Sequence, residues 1–124
     1  MSQRTLIPVT IASGQSLSGE VNVDRLTIVG IQMPAGWDAA GIAFQAVTRE
    51  TGNPPTTTYG NVIDQAGAAV NITSPALDTY VHLARASNLR GLGRIKVRSG
   101  TNAIPVAQTA TRVLYLVCID ETTR

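Results

Sequence analysis

Histidine and cysteine each occur once in these 124 residues, as His82 and Cys118, and lysine occurs once, as Lys96. A lone cysteine rules out an intrachain disulfide. With one histidine beside it, a zinc centre built from several His and Cys ligands is excluded, and a Ser-His-Asp triad would rest on His82 alone. His82 stands in the short run Tyr80-Val81-His82-Leu83, which reads as a strand with Tyr80 on the same face, so an ordinary surface or interface histidine is expected. Cys118 lies inside an apolar run, and a small buried hydrophobe is expected there rather than a reactive thiol. Nothing in their spacing joins the two as a Cys-His pair.

Aromatic residues are also scarce, at 4%, and charged residues make up 15%, against roughly 25% in an average globular domain. So little charge suits a protein packed against others, although a surface of Ser, Thr and Asn gives the same count. Nine arginines and one lysine face eight acids, for a formal charge of +2, and the arginines are spread along the chain rather than gathered beside aromatic platforms. No nucleic-acid partner is therefore expected. The preference for Arg over Lys fits bidentate pairing across protein interfaces. No apolar run reaches the length of a membrane span, and Met1-Ser-Gln-Arg-Thr leads into a short strand rather than the apolar core of a secretory signal. The expectation is a chain made in the cytoplasm with no membrane partner.

The acids, Glu20, Asp24, Asp38, Glu50, Asp64, Asp78, Asp120 and Glu121, form neither a calcium-loop pattern nor a spacing that demands a glycosidase pair. Asp24, Asp38, Asp64 and Asp78 fall in turns, where a carboxylate can bond nearby backbone. Gly91-Leu92-Gly93 precedes a strand rather than a helix, so no phosphate cradle is implied. No cofactor, no metal and no enzymatic activity are expected.

What is present is β-strand patterning. Arg94-Ile95-Lys96-Val97-Arg98 alternates strictly, which turns Ile95 and Val97 to a core and Arg94, Lys96 and Arg98 to water. Residues 112–119 are apolar on both faces and β-rich, the pattern of a strand covered on both sides, near the middle of a sheet or in a subunit contact. Between them lies a polar loop with turn chemistry at residues 99–102 and with Pro105, which lacks an inner strand's donor. Residues 5–12 read as an edge strand because of Pro8, and residues 17–23 as a short second strand. Residues 26–33 read as a central strand with a bulge or close backbone approach at Gly30. Residues 41–48 form another, with Ile42, Phe44 and Ala46 inward.

Residues 49–58, including Pro54 and Pro55, make the longest break in the apolar pattern and are expected to be a surface loop. Residues 59–63 and 68–72 pair in a hairpin sense about Asp64-Gln65-Ala66-Gly67, and residues 84–91 have room for one helical turn. Trp37, beside a turn, is read as capping one end of the core, with a ligand-stacking platform as the alternative. Length, and short strands at even spacing, point to one domain over 1–124: an all-β antiparallel β-sandwich, jelly-roll-like, with at most one short helix.

Four stretches carry a family resemblance: Ser13-Gly-Gln-Ser-Leu-Ser-Gly19, Leu26-Thr-Ile-Val-Gly-Ile-Gln-Met-Pro-Ala-Gly-Trp37, Ile42-Ala-Phe-Gln45 and Arg94-Ile-Lys-Val-Arg-Ser-Gly-Thr101. In this order they resemble small structural proteins of tailed bacteriophages over nearly the whole chain. The resemblance implies a virion component, a capsid decoration (cement) protein on the outside of the major capsid shell, which opposes the internal pressure of packaged DNA. It implies the major capsid protein and copies of the chain itself, in a homo-oligomer, as partners. The tip after the Phe44-Gln45 strand is longer here than usual, so no role carries over to it.

The C-terminal third also resembles the last strands of galactose-binding-like, discoidin-type jelly rolls. Candidate interface residues are Arg4, Pro54, Pro55, Arg94, Lys96, Arg98, Ile104 and Pro105. The alternative is a carbohydrate-binding or adhesin-like module on head or tail, with Trp37, Tyr59 and Tyr80 as stacking residues.

Overall fold

Period-two alternation and β-branched residues build the architecture. In a computed structural model, which describes residues 4–52, 56–73, 75–83, 89 and 92–120, the described residues form nine strands, and Leu89 alone stands in a 3-10 turn. The strands are β1 (Arg4–Ile11), β2 (Val21–Asn22), β3 (Leu26–Gln32), β4 (Ile42–Thr51), β5 (Thr56–Asn61), β6 (Asn71–Ile72), β7 (Tyr80–His82), β8 (Arg94–Ser99) and β9 (Arg112–Asp120). A front sheet has the order β1-β9-β3-β7; a back sheet has the order β2-β8-β4-β5, with β6 also paired to β4. Every pairing is antiparallel.

The pairs are nested. β1 meets β9, β2 meets β8, β3 meets β7 and β4 meets β5, as if one long hairpin had been rolled up, with β9 on β3 and β8 on β4 closing the roll. That winding is the jelly roll. The expected all-β antiparallel sandwich is the one observed.

The inner faces supply the core. Val9 and Ile11 of β1, Ile28 and Ile31 of β3, and Leu114, Leu116 and Cys118 of β9 pack against Ile42 and Phe44 of β4 and Ile95 and Val97 of β8. Each large side chain so buried contributes about 1.5–3 kcal/mol. β1 is an edge strand, as Pro8 requires, and β3 lies inside its sheet with its register shifted between Ile28 and Gly30. Both readings of Gly30 hold at once, because a Cβ there would also collide with the Tyr80 phenol lying across it. Gly100, at φ 117°, lets the chain leave β8 so close to Ile104 and Pro105 that no side chain would fit.

Three expectations need correction. The predicted loop over 49–58 is largely strand: β4 and β5 stay paired out to Thr51 and Thr56, and Thr48 Oγ1 donates to the Thr58 carbonyl at 3.2 Å. Threonine is a strong strand former, so these residues pair without apolar alternation. Pro54 and Pro55 lie outside the described residues, as does the expected helical turn over 84–91 apart from Leu89, which is buried and has the 3-10 conformation such a turn would give it. The second strand is confined to Val21–Asn22, with Leu17 held to Arg98 by an isolated bridge. Finally, β9 is central but covered on both sides only in its C-terminal half: the outward Val117 is 2% exposed, whereas Val113 and Tyr115 before it remain 38% and 40% exposed.

Candidate functional site: two polar clusters and an uncharged face

The loops between β3 and β4 and between β8 and β9 meet at one end of the sandwich, and Gln108 ties them together. It is fully buried. Its Oε1 accepts from the Asp38 amide at 2.8 Å and from Arg112 Nε at 3.2 Å, while its Nε2 donates to Ser99 Oγ at 2.8 Å and to the Asp38 carbonyl at 3.3 Å. Two donors and two acceptor positions are all that a carboxamide has, so the side chain is saturated.

The Asp38 carboxylate accepts from the Thr109 amide at 2.7 Å, Thr109 Oγ1 at 3.1 Å and Arg112 Nη2 at 3.0 Å. The Thr109 hydrogen bonds, followed by the Arg112 guanidinium, hold its pKa below the usual carboxylate value, outweighing the opposing effect of burial. Asp38 was read as bonding nearby backbone in a turn. Its partners instead lie some seventy residues along the chain, because both loops leave the same end of the roll.

A second polar cluster covers the back sheet. The Tyr59 hydroxyl donates to Glu20, Arg94 Nη1 lies 3.8 Å from the same Glu20 carboxylate, and Lys96 Nζ stands 4.6 Å from the centre of the Tyr59 ring. Burial first, then the Glu20 charge, pushes the Tyr59 hydroxyl up to about 12. Arg98 turns to the Asn102 carbonyl, 3.1 Å from Nη1. Arg94, Lys96 and Arg98 were expected to face water freely; all three are half-buried and engaged with neighbours.

The outer face of the front sheet is different in kind. Register places Pro8, Tyr115, Gln32 and Tyr80 in one row across β1, β9, β3 and β7, and Leu6, Val117, Gly30 and His82 in the row beside it, with Val113 opposite Thr10. Leu6 is 47% exposed and Tyr80 48%. Apart from Arg4 at one end and His82 on β7, the outward positions of these strands carry no acid or base.

The sequence-derived candidates do not converge. Trp37 is buried at 7% exposure with its Nε1 donating to the Ala40 carbonyl at 3.1 Å, Tyr59 belongs to the back-sheet cluster, and Tyr80 lies on the front. Ile104, 67% exposed, and Pro105 project from the loop before β9, while Arg4 is exposed at the start of β1. Cys118 faces the core and burial lifts its thiol to about 11, whereas His82 faces outward from β7, so the sheet keeps the two on opposite sides. Among the described residues no three His, Cys, Asp or Glu side chains cluster to hold a metal ion.

Sequence reasoning missed Gln108 and Tyr115. Gln108 carries no local signal, being a polar residue in a polar loop. Tyr115 carried one: it is the polar-tipped residue at an alternate position in a strand otherwise aliphatic, the usual mark of an outward position.

Comparison with family models, curated proteins and solved structures returned no match. The fold and its surfaces define a jelly-roll sandwich with one polar face, internally paired, and one uncharged face.

Proposed function

We propose that this chain is a non-enzymatic structural protein of a tailed-bacteriophage virion, a capsid decoration (cement) protein that binds the outer surface of the major capsid shell and stabilises it together with copies of itself. The observation that carries the reading is the uncharged outer face of the front sheet, with Leu6, Tyr80, Val113 and Tyr115 all more than a third exposed. Such a face gains by being covered. The polar side chains of the two clusters are already committed to one another. Many modest contacts, rather than one reacting centre, are what a cement protein requires. The exposed Ile104 and Pro105, with Arg4, are the candidate capsid contacts outside this face.

The test is co-sedimentation of the purified protein with expanded capsids of its phage, followed by heating. Saturable binding and a higher temperature of DNA release are expected; capsids that ignore the protein and melt unchanged would sink the cement reading.

One observation favours a second reading, a carbohydrate-binding or adhesin-like module. Tyr115 and Tyr80 flank the Gln32 amide in a single cross-strand row, and ring-amide-ring is a surface on which a neutral sugar chain could stack. Glycan-array screening distinguishes the two, with tyrosine rather than tryptophan emission as the reporter, since Trp37 is buried.

A further inference from the structure

The face that carries the assembly reading has a definable occupant. Strands of eight, nine, seven and three residues, at about 4.8 Å spacing and about 3.4 Å rise, give it a footprint of roughly 440 Å², so covering it with an equal face buries about 900 Å² in all, near the size at which specific interfaces begin. Its charge decides what fits. A surface that docks by charge selects a partner of opposite sign, and a charged patch meeting its own copy across a two-fold axis repels itself. Here the outward positions of β1, β9, β3 and β7 carry only Arg4 at one end and His82 at the other edge, so an identical face meets no repulsion across the middle rows.

The edges of the sheet argue the same way. β1 carries Pro8, which has no amide to donate, and β7 has three residues, so each edge is a poor template for a neighbouring strand, and the face is the available surface. The rows are also self-matching. An axis lying in the interface between β9 and β3 lays β9 of one copy over β3 of the other and β1 over β7, so that Tyr115 faces Gln32 and Pro8 faces Tyr80.

We infer that the outer face of the front sheet is the contact between two copies of this chain, packed sheet on sheet. The inference rests on the assembly reading above and gives it a geometry: the copies meet through β1, β9, β3 and β7, which leaves the Ile104–Pro105 loop and the back sheet free for the capsid.

Sedimentation velocity from micromolar to millimolar protein is the test. The wild type is expected to sediment as a dimer or a larger even-numbered species. The double variant Leu6→Glu/Val113→Glu should fall to the monomer while keeping its far-UV spectrum and melting midpoint, since both side chains point to solvent. Ile104→Glu, off this face, should leave the association intact.

If the double variant does not fold, Gln32→Cys in the otherwise unaltered chain gives the answer. A short bismaleimide, which spans the roughly 10 Å between packed sheets where a disulfide cannot, should join it to its copy, whereas Asn61→Cys on the back sheet should stay unlinked, and the native Cys118 is buried and takes no part. A wild type monomeric at every concentration overturns the inference, as does an association that survives the double variant. A monomer whose tyrosine emission responds to host polysaccharide assigns the face to a glycan and overturns it equally. The capsid co-sedimentation is scored separately: a monomer that binds capsids defeats this geometry and leaves the decoration reading standing, and a dimer that ignores capsids does the reverse.

Discussion

The two polar clusters use similar chemistry, an acid, a base and a hydrogen-bonding neighbour, yet they differ in where they sit and what they join. Asp38, Gln108 and Arg112 lie in and beside the loops at one end of the roll, with Gln108 sealed from solvent and bonded to the β3–β4 loop, to the end of β8 and to β9. Glu20, Tyr59, Arg94 and Lys96 lie on the back sheet, whose backbone ladder already holds their strands together. The first cluster therefore determines geometry, because its buried amide has no water to fall back on. The second adjusts a surface, where water replaces any lost bond at little cost.

The sharpest way to break this comparison is Gln108→Ala. It removes four side-chain bonds and strands the Ser99 hydroxyl and the Asp38 amide, so a loss of about 3 kcal/mol is expected in urea unfolding. Arg112→Ala, whose guanidinium is more exposed, should cost about 1–2 kcal/mol by the same measurement. A Gln108 variant as stable as the wild type would mean that the loops are held by their backbone contacts alone.

Acid separates the clusters further. Because the folded-state pKa of Asp38 is lowered, its contribution is fully present above the unfolded value of about 3.9 and is lost as pH falls through the lower folded value. The melting temperature should drop over that window, and Asp38→Asn should flatten that part of the curve.

Alkali acts on the back sheet and the core. The Tyr59 and Cys118 pKa values are raised, from 10.0 to about 12 and from 9.0 to about 11, so their contribution holds below the unfolded values and disappears as pH rises through the folded ones. Tyr59→Phe should remove the later part of that alkaline loss. Smallest of all is Tyr59→Phe at neutral pH, expected to shift stability by about 0.5 kcal/mol or less, since the ring beneath Lys96 is kept.

Sequence pattern made much of the fold legible, where one face of a strand is buried and the other is not. Ile95 and Val97 of β8, and Val9 and Ile11 of β1, alternate as they pack, and Pro8 marked its strand as an edge. The pattern failed where both faces of a strand are apolar for different reasons. In β9, Leu114 and Leu116 are apolar because they are inside, and Val113 and Tyr115 although they are outside; hydropathy treats them alike. It failed also at Gln108 and Asp38, whose roles come from partners on separate loops that the rolled topology brings together. No local signal encodes such a meeting.

The nested pairing has a mechanical consequence. Arg4, at the start of β1, is paired with Ile119, near the end of β9, so the two chain ends of the roll emerge side by side from one end of the front sheet. Tension between those ends would load the β1–β9 ladder one bond at a time, like a zip opened from its tab, rather than shearing all its bonds together. A protein built this way resists force poorly along its own chain, and any load it bears in an assembly is better carried sideways, through its faces.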